Sequence, residues 1–150
     1  MAGAYDLIDS IQGSASSYTF SSIPDTYTHL EIHMASWINT STSPAYVSMQ
    51  LNDDTSSNYT WLGCMKGASS SGGDTNLHDN SHTSMELGFV NNNNGSFDKR
   101  VMRIPHYNSD SFAKQVLYWY ITGDGGSSSK GSAGFGTAAW YTLNTDVTKI

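Results

Sequence analysis

The sequence predicts an all-β chain: a single antiparallel β-sandwich domain, jelly-roll-like, with about ten short strands spread over residues 1–150. Three observations carry this. Apolar residues recur with a period of two in segment after segment, the spacing that puts them on one side of an extended backbone. Clusters of Gly, Asn, Asp and Ser separate those segments, each residue type suited to turns. Charged residues make up only 13% of the chain while aromatics reach 12%, so hydroxyl and amide groups carry the polarity and disorder is a poor reading.

Taken in order, residues 5–11 and 17–20 are weaker strand candidates, and residues 1–12 read as an N-terminal arm or edge strand. Residues 28–38 are the clearest strand. Leu30, Ile32, Met34, Ser36 and Ile38 point one way; His29, Glu31, His33, Ala35 and Trp37 point the other. Residues 45–51 repeat the pattern with Val47, Met49 and Leu51 inward. Fainter alternation follows at 59–65, 84–90 and 99–107, where Pro105 marks an end or an edge. Residues 115–121 are aromatic and β-branched on both faces, which predicts a central strand covered on both sides. Residues 134–141 and 147–150 complete the set. Of the intervening loops, 67–83 and 123–131 are long and lack apolar residues, so they are expected to face solvent or a partner.

A chain of 150 residues buries roughly 68–70% of its unfolded surface, enough for a core without metal or disulfide staples. Seven Lys and Arg against 13 Asp and Glu give a net charge of −6, and no basic stripe stands out, which argues against nucleic acid as a partner. The N-terminal Met1-Ala2-Gly3-Ala4 shows no basic segment followed by an apolar stretch, and no apolar run approaches the roughly 20 residues of a membrane span. A soluble protein made without export by the usual route is expected. Cys64 is the one cysteine and reads as a small buried hydrophobe.

Chemistry-bearing motifs are weak. The Gly-rich run 123–132 places Lys130 before Gly131 and no helix after it, unlike a phosphate-cradling loop. His29 and His33 share a strand face but stand about 13 Å apart along it, too far for one zinc. His78, Asp79 and His82 lie in a polar segment that reads as a solvated loop. The run 52–58 resembles a calcium loop only loosely, missing its Gly and terminal Glu, and reads as a hairpin turn. Asp6, Asp9, Glu31, Glu86, Asp98 and Asp146 are scattered, and no nucleophile elbow is present. No cofactor or metal is expected, and no enzyme. Trp37, Trp61, Trp119 and Trp140 read as core or interface anchors, with Trp37 on the polar face of its strand the best candidate for an exposed contact.

The run Tyr5-Asp6-Leu7-Ile8, followed by residues 17–32 from Ser17-Tyr18-Thr19-Phe20 to Leu30-Glu31-Ile32, resembles the opening of small virion-associated proteins of tailed phages, many of them marine phages that infect cyanobacteria. Leu51-Asn52-Asp53-Asp54 and Ser57-Asn58-Tyr59 are similar to that family's next landmark, and the Trp140 region to its late strand. The resemblance implies a β-sandwich and a structural role, and brings no catalytic residues. The family continues to a last strand ending aromatic-Gly-Ile; this sequence stops at Ile150 without it, so a differently closed sandwich or a sheet completed by a neighbouring subunit is expected.

The leading expectation is therefore a capsid decoration or cement protein on the outer surface of the virion, a homotrimer contacting the major capsid protein or other virion subunits. Its expected contact residues are Tyr5, Leu7 and Ile8 of the N-terminal segment and Trp37. The runner-up is a tail or fibre module that binds host-surface glycan through the loops 52–58 and 91–96.

Overall fold

The computed structural model describes residues 5–38, 45–67, 75–90, 96–123, 131–143 and 145–150. These residues form eight strands and no helix: β1 (His29–Ile38), β2 (Ala45–Met49), β3 (Tyr59–Gly67), β4 (Thr75–His82), β5 (Met85–Val90), β6 (Ser96–Pro105), β7 (Lys114–Gly123) and β8 (Ser132–Trp140). Six build one sheet in the order β1-β6-β7-β8-β3-β4, and β2 and β5 pair as a second sheet. Every pairing is antiparallel. β5 lies across β8, β3 and β7, which makes one face of the large sheet the inner face.

Period-two alternation decides which side chains face inward. Leu30 of β1, Ile104 of β6, Val116 of β7, Trp140 of β8 and Tyr59 of β3 are buried there, against Met85 and Leu87 of β5. The inward tyrosines of β7 lie flat over glycines. A Cβ added at Gly136 would stand 2.4 Å from the Tyr118 hydroxyl oxygen and 2.3 Å from the Leu62 carbonyl oxygen. Gly88 packs under Tyr120 in the same way, at a φ of +90° that side-chain-bearing residues rarely adopt. Burial beneath these layers pushes the Tyr118 phenol up to about 12.

One charge pair lies inside. Asp98 and Arg100, both inward on β6, have fully buried side chains joined by two hydrogen bonds of 2.7 and 2.9 Å. Arg100 also donates to the Leu87 carbonyl and lies 4.5 Å from the centre of the Tyr120 ring. Burial raises the Asp98 carboxyl above its ordinary value, and Arg100 opposes that rise.

Several expectations need correction. Among the described residues eight strands form rather than about ten. Residues 5–11 form no strand. Residues 17–20 and 147–150 are not strands of either sheet, but their ends meet: Phe20 and Ile150 exchange backbone hydrogen bonds of 2.8 and 2.9 Å beside the Ser21–Lys149 bridge. The expected loop 67–83 contains β4, an edge strand held by backbone pairing to β3. The segment 52–58 is no hairpin, because β2 and β3 belong to different sheets. β7 is central, as expected, but covered on one face only: its residues alternate strictly between buried and exposed. Cys64 is exposed. Of the two loops expected to face a partner, residues 124–130 lie outside the described residues, as do 39–44 and 91–95.

Candidate interaction surface

The face of the six-stranded sheet turned away from β5 carries the residues that the inner face leaves over. Strand register sets them in rows. Trp119 of β7 stands opposite Val101 of β6 on one side and Phe135 of β8 on the other, and Phe135 stands opposite Cys64 of β3. In the neighbouring row Leu117 lies between Arg103 and Thr137, with Leu62 beyond. Ile121 extends the patch toward one end of β7, and Trp37 of β1 meets Phe97 of β6 at its corner. Trp37, Phe97, Trp119 and Phe135 are 41–68% exposed. At roughly 200 Å² per aromatic side chain, these four leave roughly 400 Å² in water. That already matches the largest apolar patch of an ordinary monomer, roughly 300–600 Å². The exposed Leu62, Leu117 and Ile121 enlarge it.

The centre of this face has relief. Six outward side chains, Leu62, Cys64, Leu117, Trp119, Phe135 and Thr137, surround a shallow, almost wholly apolar depression of about 320 Å³. Gly63, Tyr118 and Gly136 supply its floor. The charges sit toward the β1 side: Lys99 stands exposed opposite Ile121, and Arg103, Glu31 and His33 form a cluster. Arg103 donates to Glu31, lies 5.5 Å from the centre of the Trp119 ring, and shares Glu31 with His33 Nε2 at 2.6 Å. The Arg103 hydrogen bond, reinforced by His33, holds the Glu31 carboxyl below its ordinary value.

The residues expected from sequence to make contacts are all exposed. Trp37 stands out from the sheet, and Tyr5, Leu7 and Ile8 are open to solvent. Tyr5 lies beside Arg103. Arg103 pairs with Glu31, six residues before Trp37, so Tyr5 and Trp37 flank the patch about 20 Å apart. Leu62, Leu117, Ile121 and Phe135 are not among the expected contacts, and Trp119 enters only as one of four core or interface anchors; the available signal is the apolar second face of β7 beside a phenylalanine set between Gly134 and Gly136. Trp61 and Trp140, the other two tryptophans, are core residues.

The loop 52–58 is committed to the fold. Asn52 Oδ1 accepts from the backbone N–H of Thr148 and Lys149 at 2.8 and 3.0 Å, while its Nδ2 donates to the Asp146 carbonyl at 2.7 Å. The Asp54 carboxylate accepts from Asn58 Nδ2 at 2.9 Å, Trp140 Nε1 at 2.6 Å and the Ser56 N–H at 2.8 Å. Asn52 and Asp53 both take left-handed backbone angles, which Asn and Asp tolerate best among side-chain-bearing residues. Asp53 pairs with Lys149 at 2.6 Å. Comparison with family models, curated proteins and solved structures gives no significant match. Among the described residues no three His, Cys, Asp or Glu side chains gather as a metal site would need; His82 pairs instead with Asp79 at 2.7 Å.

The hydrogen bonds from Asn58 and then Trp140 hold Asp54 well below the usual carboxylate range. A carboxyl depressed in the folded state contributes stability above its unfolded pKa of about 3.9, and that contribution drains away as pH falls through and below that value. Asp54→Asn is therefore expected to melt below the wild type at pH 7, with the gap narrowing as pH drops toward 3. Thermal melts across that range check it, and a gap independent of pH would count against the ionised Asp54 bonds.

Proposed function

We propose that the chain is a structural protein of a tailed-phage particle, a decoration or cement protein on the outside of the head whose two sheets act as a jelly-roll-like sandwich. One observation carries this reading: the outward face of the six-stranded sheet is broad and apolar, with its Glu31–Arg103–His33 cluster set toward β1, which suits a docking surface. A decoration protein works by adding buried area across the seams between capsid subunits. Each contact is modest, and symmetry repeats it over the particle. The exterior, rich in uncharged hydroxyl and amide groups, suits such docking more than catalysis, and the resemblance of residues 5–59 to small phage virion proteins points the same way. The exposed Tyr5, Leu7 and Ile8 are placed to reach a capsid subunit beside the sheet.

The glycan-binding tail module is the weaker proposal, because the polar groups of Asn52, Asp54 and Asn58 are already used within the chain. Quantitative mass spectrometry of purified particles separates the two. Hundreds of copies per particle are expected for the decoration role, and a few dozen or fewer would overturn it. Deleting residues 2–11 is expected to abolish binding to heads while leaving the circular dichroism unchanged.

A further inference from the structure

We infer that the outward face of the six-stranded sheet packs against the same face of a second copy of the chain, about a two-fold axis lying between the two sheets. This rests on the docking reading only for the premise that the face is a binding surface; it assigns that face to a second copy rather than to a capsid subunit, and a two-fold pair in place of the homotrimer expected from sequence.

Size is the first argument. Strands β6 and β7 are ten residues long and the sheet is six strands wide. At about 3.4 Å per residue and 4.8 Å per strand, the face measures roughly 34 by 24 Å. That is about 800 Å², the share that each partner contributes to a stable interface of ordinary size. Two such sheets packed face to face at about 10 Å would cover most of it.

Relief is the second. A two-fold interface must be complementary to itself, so one patch has to hold both a projection and the hollow that receives it. Phe135, 65% exposed, projects at the margin of the apolar depression floored by Gly63, Tyr118 and Gly136. The ring of one copy can enter the hollow of the other while its own hollow receives the second ring.

Charge is the third. Each chain carries −6, so copies can meet closely only where no unpaired carboxylate faces its counterpart. The central rows Val101-Trp119-Phe135-Cys64 and Leu117-Thr137-Leu62 hold no acid. Glu31, the acid on this face of β1, is held by Arg103 and His33.

Sedimentation velocity of the full chain over a dilution series tests this. A monomer–dimer equilibrium is expected for the wild type. Phe135→Lys and, as a milder change, Leu62→Gln are each expected to raise the dissociation constant about 30-fold or more with unaltered circular dichroism. A wild-type chain that stays monomeric at high micromolar concentration overturns the inference. So does a trimer, or a dimer that both folded variants leave intact. The wild-type dilution series needs no variant to fold. A monomer that still decorates heads in large copy number would sink the pairing and keep the proposed function. A dimer that Phe135→Lys breaks, from a protein found only in tails, would do the reverse.

Discussion

Replacing Asp98 with alanine is expected to lower the unfolding free energy by about 3–5 kcal/mol, read from urea denaturation. The size follows from where the pair sits. Both side chains are fully buried, and Arg100 Nε and a terminal nitrogen each donate to one Asp98 oxygen. Truncating the carboxylate removes the counter-charge from a guanidinium lodged between the Leu87 carbonyl and the Tyr120 ring. Placing two ions in the interior also has a cost, so removing both should be far milder. Asp98→Leu combined with Arg100→Met is expected to recover most of the loss. A single-variant loss under about 1 kcal/mol would mean that the guanidinium finds water.

Trp140→Ala is expected to be comparably severe, about 3–5 kcal/mol by the same measurement. Trp140 is buried at the end of β8, where its ring stacks on Tyr59 at 6.4 Å between centres and 17° between planes. Register sets it between Lys114 and Tyr59, so the lost volume would open across three strands. Its Nε1–H also reaches Asp54, and truncation takes that donor away. Trp140→Phe keeps a ring against Tyr59 and drops the N–H, so it should lose much less. Equal losses in the two variants would contradict a packing origin.

Where burial and backbone geometry agree, the fold was legible in the sequence. In β1 the alternation of Leu30, Ile32 and Met34 with His33, Ala35 and Trp37 names the inner and outer faces correctly. β4 was missed because Thr-Asn-Leu-His-Asp-Asn-Ser-His carries no apolar period; that strand exists through its backbone bonds to β3, which leave no mark in side-chain chemistry. β7 shows a different ambiguity. Val116, Tyr118 and Tyr120 meet the core while Leu117, Trp119 and Ile121 face outward, and a doubly apolar strand reads the same whether its second face is covered by the same chain or kept for another. Of the surface, sequence found Trp37 at the corner and missed the centre for that reason. It also took Cys64 for a core residue, although Cys64 shares its outward row with Phe135.

The clamp that Asn52 places on residues 146–149 ties together positions about 96 apart in the chain. During synthesis this clamp must wait until those late residues leave the ribosome. Until then the apolar strands that precede them stay exposed to one another and to other nascent chains. Closing so long a span loses chain entropy before any contact compensates, which places this topology among slow folders.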